Sequence, residues 1–300
     1  MRHGPVLESV AMTVNRVGVV GAGVIGRSVA QALAQSGIDV VLVDLTTAIL
    51  DEARRSIGHA LKSAALFDRT LRAGHGAVLA RIETTTDYDA LAEAEFIIEN
   101  TTEEWPVKED VYRRLARSWR PGRVLAANTS AISIARIAAV TPDPSLVIGM
   151  HFMNPVPQKS VVEVIRSPVT SDDTAAAACA LVEQLGKRAI VVGDSPGFVT
   201  NRVLMLTVNE AIAVVEEGVA SARDVDAIFV GCFSHAMGPL ATADLIGLDT
   251  ILRSLNVLQE SFNDAKFAAR PLLRQMVASG RLGRKSGRGF FDYDMRGGNR

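Results

Sequence analysis

His151 and Glu163 stand twelve residues apart in the stretch Gly149 to Ile165, GMHFMNPVPQKSVVEVI, each inside an apolar run that reads as a strand. A charged or polar side chain buried in such a run is costly unless it finds a polar partner. If the turn over Pro155 to Gln158 lays the two strands side by side, each residue supplies the other's partner. A carboxylate on one ring nitrogen fixes the tautomer and steadies the imidazolium, and the other nitrogen is left to take a proton. That is the equipment needed to remove the hydroxyl proton of an alcohol as a hydride departs. Taken singly, a core histidine bonded to a backbone carbonyl and a solvent-facing glutamate are the simpler readings. The place of His151 at the end of a strand, where ligands of open α/β sheets bind, favours the pair.

A second constellation says what would take the hydride. Gly21, Gly23 and Gly26 form GAGVIG directly after the strand-like run RVGVV, and Val24 and Ile25 open a helix within it. Glycines there permit a tight turn and a close backbone approach to a pyrophosphate, whose charge then rests on the helix N-terminus. Asp44 closes the next strand 18 residues after Gly26, where a carboxylate takes the ribose 2′-hydroxyl. Leu45, Thr46 and Thr47 follow it with no arginine for a 2′-phosphate, so NAD is preferred over NADP. FAD shares the fingerprint, and the histidine chemistry favours a nicotinamide.

These residues need a scaffold, and short β-branched runs alternating with helical patterns from Arg16 onward provide one. The alternation predicts βαβ units in a mostly parallel, Rossmann-type sheet. Further strands are expected at 96–99, 124–127, 146–151, 160–165 and 189–192, all apolar enough to be covered on both faces. Residues 46–80 read as a helical pair, broken near Phe67 and at Gly74 to Gly76, that departs from the usual short crossover. Strand signals stop after Val192. The expected plan is a poorly ordered leader over 1–15, a dinucleotide-binding domain over 16–193 with the His–Glu pair, a linker over 194–198, and a smaller all-α domain over 199–300 for substrate and dimer contacts.

The 300 residues, 48% hydrophobic and 22% charged, fit a soluble chain of two domains. With 32 basic and 33 acidic residues the net charge is −1, which argues against nucleic acid or an acidic membrane as partner. No apolar leader core or long apolar span occurs, so a cytoplasmic location is expected. Cys179 and Cys232 match no metal or redox spacing and read as small buried hydrophobes; no metal is expected.

Six ordered motifs, AANTSAISI, GMHFMNPVP, VVEVI, DSPGFVTNRV, AMGPLATADLIGLDT and GRKSGRGFFDY, resemble the successive signatures of the L-3-hydroxyacyl-CoA dehydrogenases, from about Arg16 to Tyr293. The resemblance implies an NAD-dependent oxidoreductase that interconverts a 3-hydroxyacyl thioester and its 3-oxo form. It makes His151 the base, Glu163 its partner, and Ser130 and Asn201 the groups that hold and orient the substrate. Ser130 also borders the nicotinamide, and Glu103, Lys108, Asn154 and Lys285 match positions lining the cofactor site. On the residues alone Ser130 has a plainer reading as a cap for a helix over 132–139, and Lys108 as a solvated charge. The resemblance also implies a homodimer through the C-terminal domain.

Two departures bear on the thioester carrier. Gln158-Lys159-Ser160-Val161 replaces a Met-Lys-Leu-like run, and the helical pair offers only Lys62, Arg69, Arg72 and Arg81 for carrier phosphates. These features are similar to a subgroup in polyketide pathways that acts on a glyceryl group tethered to an acyl carrier protein. CoA and carrier protein therefore both stand as expected carriers. A catalytically silent NAD-binding relative is a third reading, disfavoured by the intact Ser130, His151, Glu163 and Asn201. A lysine-dependent β-hydroxyacid dehydrogenase is a fourth, disfavoured because no lysine lies between Lys187 and Lys266.

Overall fold

The run RVGVV forms β1 (Arg16–Val20), and β-branched residues recur in β2 (Asp39–Val43), where packed side chains on a pleated surface favour them. In the computed structural model, which describes residues 13–67 and 74–293, the chain divides into two units at Ser195 and Pro196. The first unit continues from β1 and β2 through β3 (Ile82–Thr85), β4 (Phe96–Glu99), β5 (Val124–Ala127), β6 (Val147–His151), β7 (Val161–Arg166) and β8 (Arg188–Gly193). Its helices are α1 (Val24–Gln35), α2 (Thr47–Phe67), α3 (His75–Ala80), α4 (Trp105–Arg117), α5 (Ile134–Ala138) and α6 (Asp172–Gln184).

The eight strands lie in the order β3-β2-β1-β4-β5-β6-β7-β8, and every neighbouring pair is parallel except β6 with β7. Strand order reverses between β1 and β4, so the connections leave opposite ways and open a crevice at the carboxyl ends of those strands. Val17, Val19, Leu33, Leu42, Ile98 and Ile148 bury themselves in one core beneath it. A fully buried side chain of this size contributes about 1.5–3 kcal/mol.

The single antiparallel pairing has a chain-length cause. Only residues 152–160 join β6 to β7, and a parallel return needs a crossover of about a dozen residues or more. The short connection contains a cis Asn154–Pro155 peptide. It turns the chain back so that His151 pairs with Glu163 in register, and side chains at directly opposed positions lie on the same face.

Several elements depart from the expected plan. The strand β3 carries little strand signal because Ile-Glu-Thr-Thr is short and polar, as an edge strand can be. At the other edge β8 is not covered on both faces, and Ile190 and Val191 are exposed. Val14 falls in the stretch expected to be a loose leader, yet it is buried and exchanges two hydrogen bonds with the side chain of Gln184. Residues 1–12 of that leader lie outside the described residues. Cys232 is exposed and Cys179 only half-buried, so neither is the core hydrophobe expected.

The second unit is helical: α7 (Thr200–Glu216), α8 (Ala222–Phe233), α9 (Pro239–Ile246), α10 (Leu248–Phe262) and α11 (Pro271–Ala278). Ile212, Leu240, Leu255, Phe267 and Leu273 are fully buried at its centre. The motif GRKSGRGFFDY is tied down by the buried Asp244, whose carboxylate accepts from the N–H groups of Phe290 and Phe291 and from the Tyr293 hydroxyl. Burial first, and the Asp244 charge second, push the Tyr293 hydroxyl pKa up to about 12. No helix among the described residues is long and apolar enough to cross a membrane.

Candidate active site

The register of β6 against β7 sets the first contact. His151 Nδ1 lies 2.9 Å from Glu163 Oε2, with the two residues 5% and 8% exposed. On the other side of the ring, Nε2 is 3.1 Å from Ser130 Oγ. A carboxylate at Nδ1 selects the tautomer with its proton there, so Nε2 carries the lone pair and can accept a hydrogen bond or a proton. The three residues thus form a chain of acid, base and hydroxyl at the strand ends.

Ser130 reaches this place because a loop, not a helix cap, carries it. The cap of α5 is Ser133, whose Oγ accepts from Arg136 N, while Asp194 accepts from Ala135 N and from the Ser133 hydroxyl. Glu103, just after β4, gathers residues 129–131: one carboxylate oxygen accepts from Ser130 N and Ala131 N at 2.9 Å each and also from the Thr129 hydroxyl. The Glu103 carboxylate thus holds the serine loop in place.

Lys108 departs from expectation. It is neither a solvated charge nor a lining residue but fully buried, with its ammonium 2.8 Å from Glu99 Oε2 and 3.3 Å from the Asn128 carbonyl. Glu99 is equally buried and also accepts from Thr101 N and Thr101 Oγ1. Tyr112 packs beside it, and burial, followed by the Glu99 charge, pushes the tyrosine pKa well above its usual value. Hydrophobic neighbours give such a pair no water, so each charge depends on the other.

The crevice at β1 and β4 is a cavity of about 590 Å³ lined by Gly21, Gly23, Asp44, Asn100, Val107 and Arg114 among others. Asp44 accepts from Ala22 N and Leu45 N, which fixes the glycine loop against the end of β2. Gly21 holds φ +94°, and a Cβ on Gly23 would meet nothing within 4 Å, leaving the backbone open to a close ligand. The residues present therefore fit a dinucleotide, with Asp44 placed for a ribose hydroxyl.

Gly26 is the intolerant position in this loop, because an added Cβ would lie 1.8 Å from the Gly21 carbonyl oxygen. Alanine ordinarily gains about 1 kcal/mol over glycine inside a helix, but here the backbone must move. Gly26→Ala is expected to weaken NADH binding at least about 100-fold, a loss of about 2.7 kcal/mol, and to lower the melting temperature. Calorimetric titration with NADH and a thermal melt check both.

A second cavity of about 740 Å³ lies between α1, α2 and the turn after β6. Val24 and Asn154 line it, and so does Gln158. Of the cations expected to serve a carrier, Arg81 is engaged with Asp39 at 2.7 Å, Lys62 is exposed and does not line this cavity, and Arg69 and Arg72 lie outside the described residues. The cavity instead presents Arg27, Arg55 and His59. Arg27 and Arg55 project from helices whose facing the sequence alone does not reveal, and no local pattern marks them.

The turn itself is pinned from behind. Ser28 Oγ accepts from Val156 N, and Lys187 Nζ donates to the Val156 and Lys159 carbonyls at 2.8 and 2.6 Å. Burial lowers the Lys187 pKa. In the second unit Asn201 sits in the first turn of α7, and Lys285 is paired with Asp249 at 2.6 Å. Among the described residues no group of three or more His, Cys, Asp or Glu side chains is placed to hold a metal ion.

A mostly parallel sheet with a glycine-loop crevice and a His–Glu pair at its strand ends defines a nicotinamide-dependent oxidoreductase. Comparison with known proteins resolves the class further. Residues 16–195 match the family described as 3-hydroxyacyl-CoA dehydrogenase, NAD binding domain, and residues 197–293 match its C-terminal domain. The chain belongs to the 3-hydroxyacyl-CoA dehydrogenase family and uses NAD.

It is 43% identical over 282 residues to a probable 3-hydroxybutyryl-CoA dehydrogenase of Deinococcus radiodurans, covering 93% of this chain and 100% of that one. It is 34% identical to the human mitochondrial hydroxyacyl-coenzyme A dehydrogenase, with 93% and 91% covered. The crystal structure of (S)-3-hydroxybutyryl-CoA dehydrogenase from Ralstonia eutropha superposes with a TM-score of 0.90 at 42% identity, covering 94% of this chain and 100% of that one.

Proposed function

We propose that the chain catalyses the reversible oxidation of a short 3-hydroxyacyl-CoA, with 3-hydroxybutyryl-CoA as the leading substrate, to the 3-oxoacyl-CoA. One NAD+ becomes NADH and one proton is released. The observation that carries this reading is the Ser130–His151–Glu163 chain at the strand ends, in a member of this family. When bound, the nicotinamide supplies the hydride acceptor. His151 Nε2 takes the hydroxyl proton, Glu163 stabilises the resulting imidazolium, and Ser130 Oγ donates to the reacting oxygen and keeps it beside the base. The family resemblance adds Asn201 as a substrate-orienting residue.

The cavity between α1 and α2 supports a carrier arm, with Arg27 and His59 available to its phosphates and Arg55 paired with Glu52 at 3.0 Å on the same wall. Gln158 adds a polar group to the same wall for the carrier arm. We assign homodimer contacts to the second unit, whose α8 exposes Ile228 and Phe233. The deciding experiment follows NADH absorbance with acetoacetyl-CoA and, in parallel, with a glyceryl-loaded acyl carrier protein. Turnover of acetoacetyl-CoA with the higher kcat/KM is expected. Turnover of the carrier-protein substrate alone would replace the CoA assignment, and turnover of neither would sink the reading.

A further inference from the structure

We propose that Asn128 is a positioning residue for the hydride-transfer site: its side-chain amide sets the distance between Ser130 and His151 and couples that distance to the cofactor crevice. The proposal rests on the catalytic reading of those two residues. Asn128 is the first residue beyond β5, 9% exposed, with its own N–H bonded to the Glu99 carbonyl at 2.9 Å. Its side chain crosses to both neighbouring strands. Oδ1 accepts from Phe152 N at 3.1 Å, and Nδ2 donates to Asn100 Oδ1 at 2.8 Å.

The orientation of this amide follows from its partners. Phe152 N–H is only a donor, so the atom facing it is the oxygen. The nitrogen then faces Asn100, whose own Nδ2 is occupied by the Ile98 carbonyl at 2.9 Å and whose oxygen is therefore turned toward Asn128. Meanwhile the Asn128 carbonyl accepts from buried Lys108. Each polar group of the residue thus has a partner, at the edge where the sheet's own ladder between β4, β5 and β6 ends.

The consequence for chemistry is a matter of position along the chain. Phe152 directly follows His151, so the bond to its N–H fixes the backbone that carries the base. Ser130 lies two residues after Asn128, on the loop that leaves from it, and Asn100 lines the cavity that holds Asp44 and the glycines. One side chain therefore holds the base, the hydroxyl loop and the cofactor shelf in mutual register. The amide suits this place because it offers a donor on one side and an acceptor on the other. Aspartate keeps the acceptor for Phe152 N and loses the donor for Asn100; alanine loses both.

A misplacement of about 1 Å at a reacting group can lower a rate about 100-fold. Asn128→Ala is therefore expected to lower kcat about 10- to 100-fold and, through the freed Asn100, to raise the Kd for NADH severalfold, with the KM for acetoacetyl-CoA within about threefold of the parent. Asn128→Asp should fall between the two. In parallel, nitrogen NMR of the His151 ring in the substrate-free protein, assigned with a His151→Gln control, should show one Nδ1-protonated tautomer in both proteins, held by Glu163, and a shifted Nε2 signal in Asn128→Ala as the Ser130 hydrogen bond lengthens.

A kcat within twofold of the parent with unchanged ring signals would overturn the proposal. So would a loss confined to the folded fraction, with normal kcat per NADH-binding site, since that is the mark of a purely structural residue. If Asn128→Ala does not fold, the same readings on Asn128→Asp decide. If the parent turns over no acyl thioester, the catalytic reading fails, while the ring signals still judge the positioning claim.

Discussion

Replacing His151 with glutamine is expected to lower kcat by about 10²–10⁴-fold, the usual contribution of a positioned acid–base group. Glutamine approximates the size of the ring and can still donate to Glu163 Oε2, so the 5%-exposed site need not collapse. What it lacks is a basic nitrogen facing Ser130. The Kd for NADH should stay within about threefold, since His151 does not line the cavity shared by Asp44 and the glycines; each factor of ten would correspond to about 1.4 kcal/mol. Single-turnover measurements that separate chemistry from binding provide the check. Substantial turnover by this variant would remove His151 from its role.

Glu163→Gln is the graded companion. Its side-chain oxygen still accepts from Nδ1–H, but the charge that favours the imidazolium is gone. A charge-assisted hydrogen bond is worth about 1.5–3 kcal/mol, so the rate should fall about 10- to 100-fold. The order His151→Gln below Glu163→Gln below parent distinguishes a base and its orienting acid from two residues that merely fill space.

The second large effect is on stability. Lys108→Met should destabilise the first unit by about 3–5 kcal/mol, because it leaves the Glu99 carboxylate fully buried without its cation. For a unit of this size that corresponds to a melting temperature lower by about 6–20 °C. Thermal unfolding of the single variant tests the magnitude. The double variant Glu99→Gln with Lys108→Met tests the cause: it should regain much of the loss, since the uncompensated charge is removed together with its partner. If the double variant is as unstable as the single one, lost packing of the lysine stem rather than charge accounts for the effect. The opposite extreme, a Lys108→Met protein that melts with the parent, would mean Glu99 is not the isolated charge its burial indicates.

These two variants probe residues that differ in how legible they are. His151 and Glu163 can be paired from sequence because the interval between them is short and holds two prolines, and a short return allows few strand arrangements. Asp44 and the glycines are legible for a related reason: a phosphate-binding turn is local, and its strand, loop and helix are consecutive. Lys108 is not. Its partner Glu99 is only nine residues away, but whether a lysine on α4 faces solvent or the sheet depends on how the helix is rotated against β4 and β5. Val14 escapes prediction similarly, docking through Gln184, which is 170 residues away in the chain.

By itself, the sequence determined the features that depend on local order: a parallel sheet from alternating strands and helices, a glycine turn after the first strand, and a histidine and a glutamate paired across a short return. These are properties of backbone geometry and of neighbours along the chain. The tertiary structure decided which side chains meet across strands that leave the sheet together. Only it placed Glu103 under the Ser130 loop, buried Lys108 against Glu99, turned Arg27 and Arg55 toward one cavity, and set the Asn128 amide between Asn100 and Phe152. The physical reason is that hydrogen bonds at the ends of adjacent strands depend on register and helix rotation, and both are set by packing of the whole core.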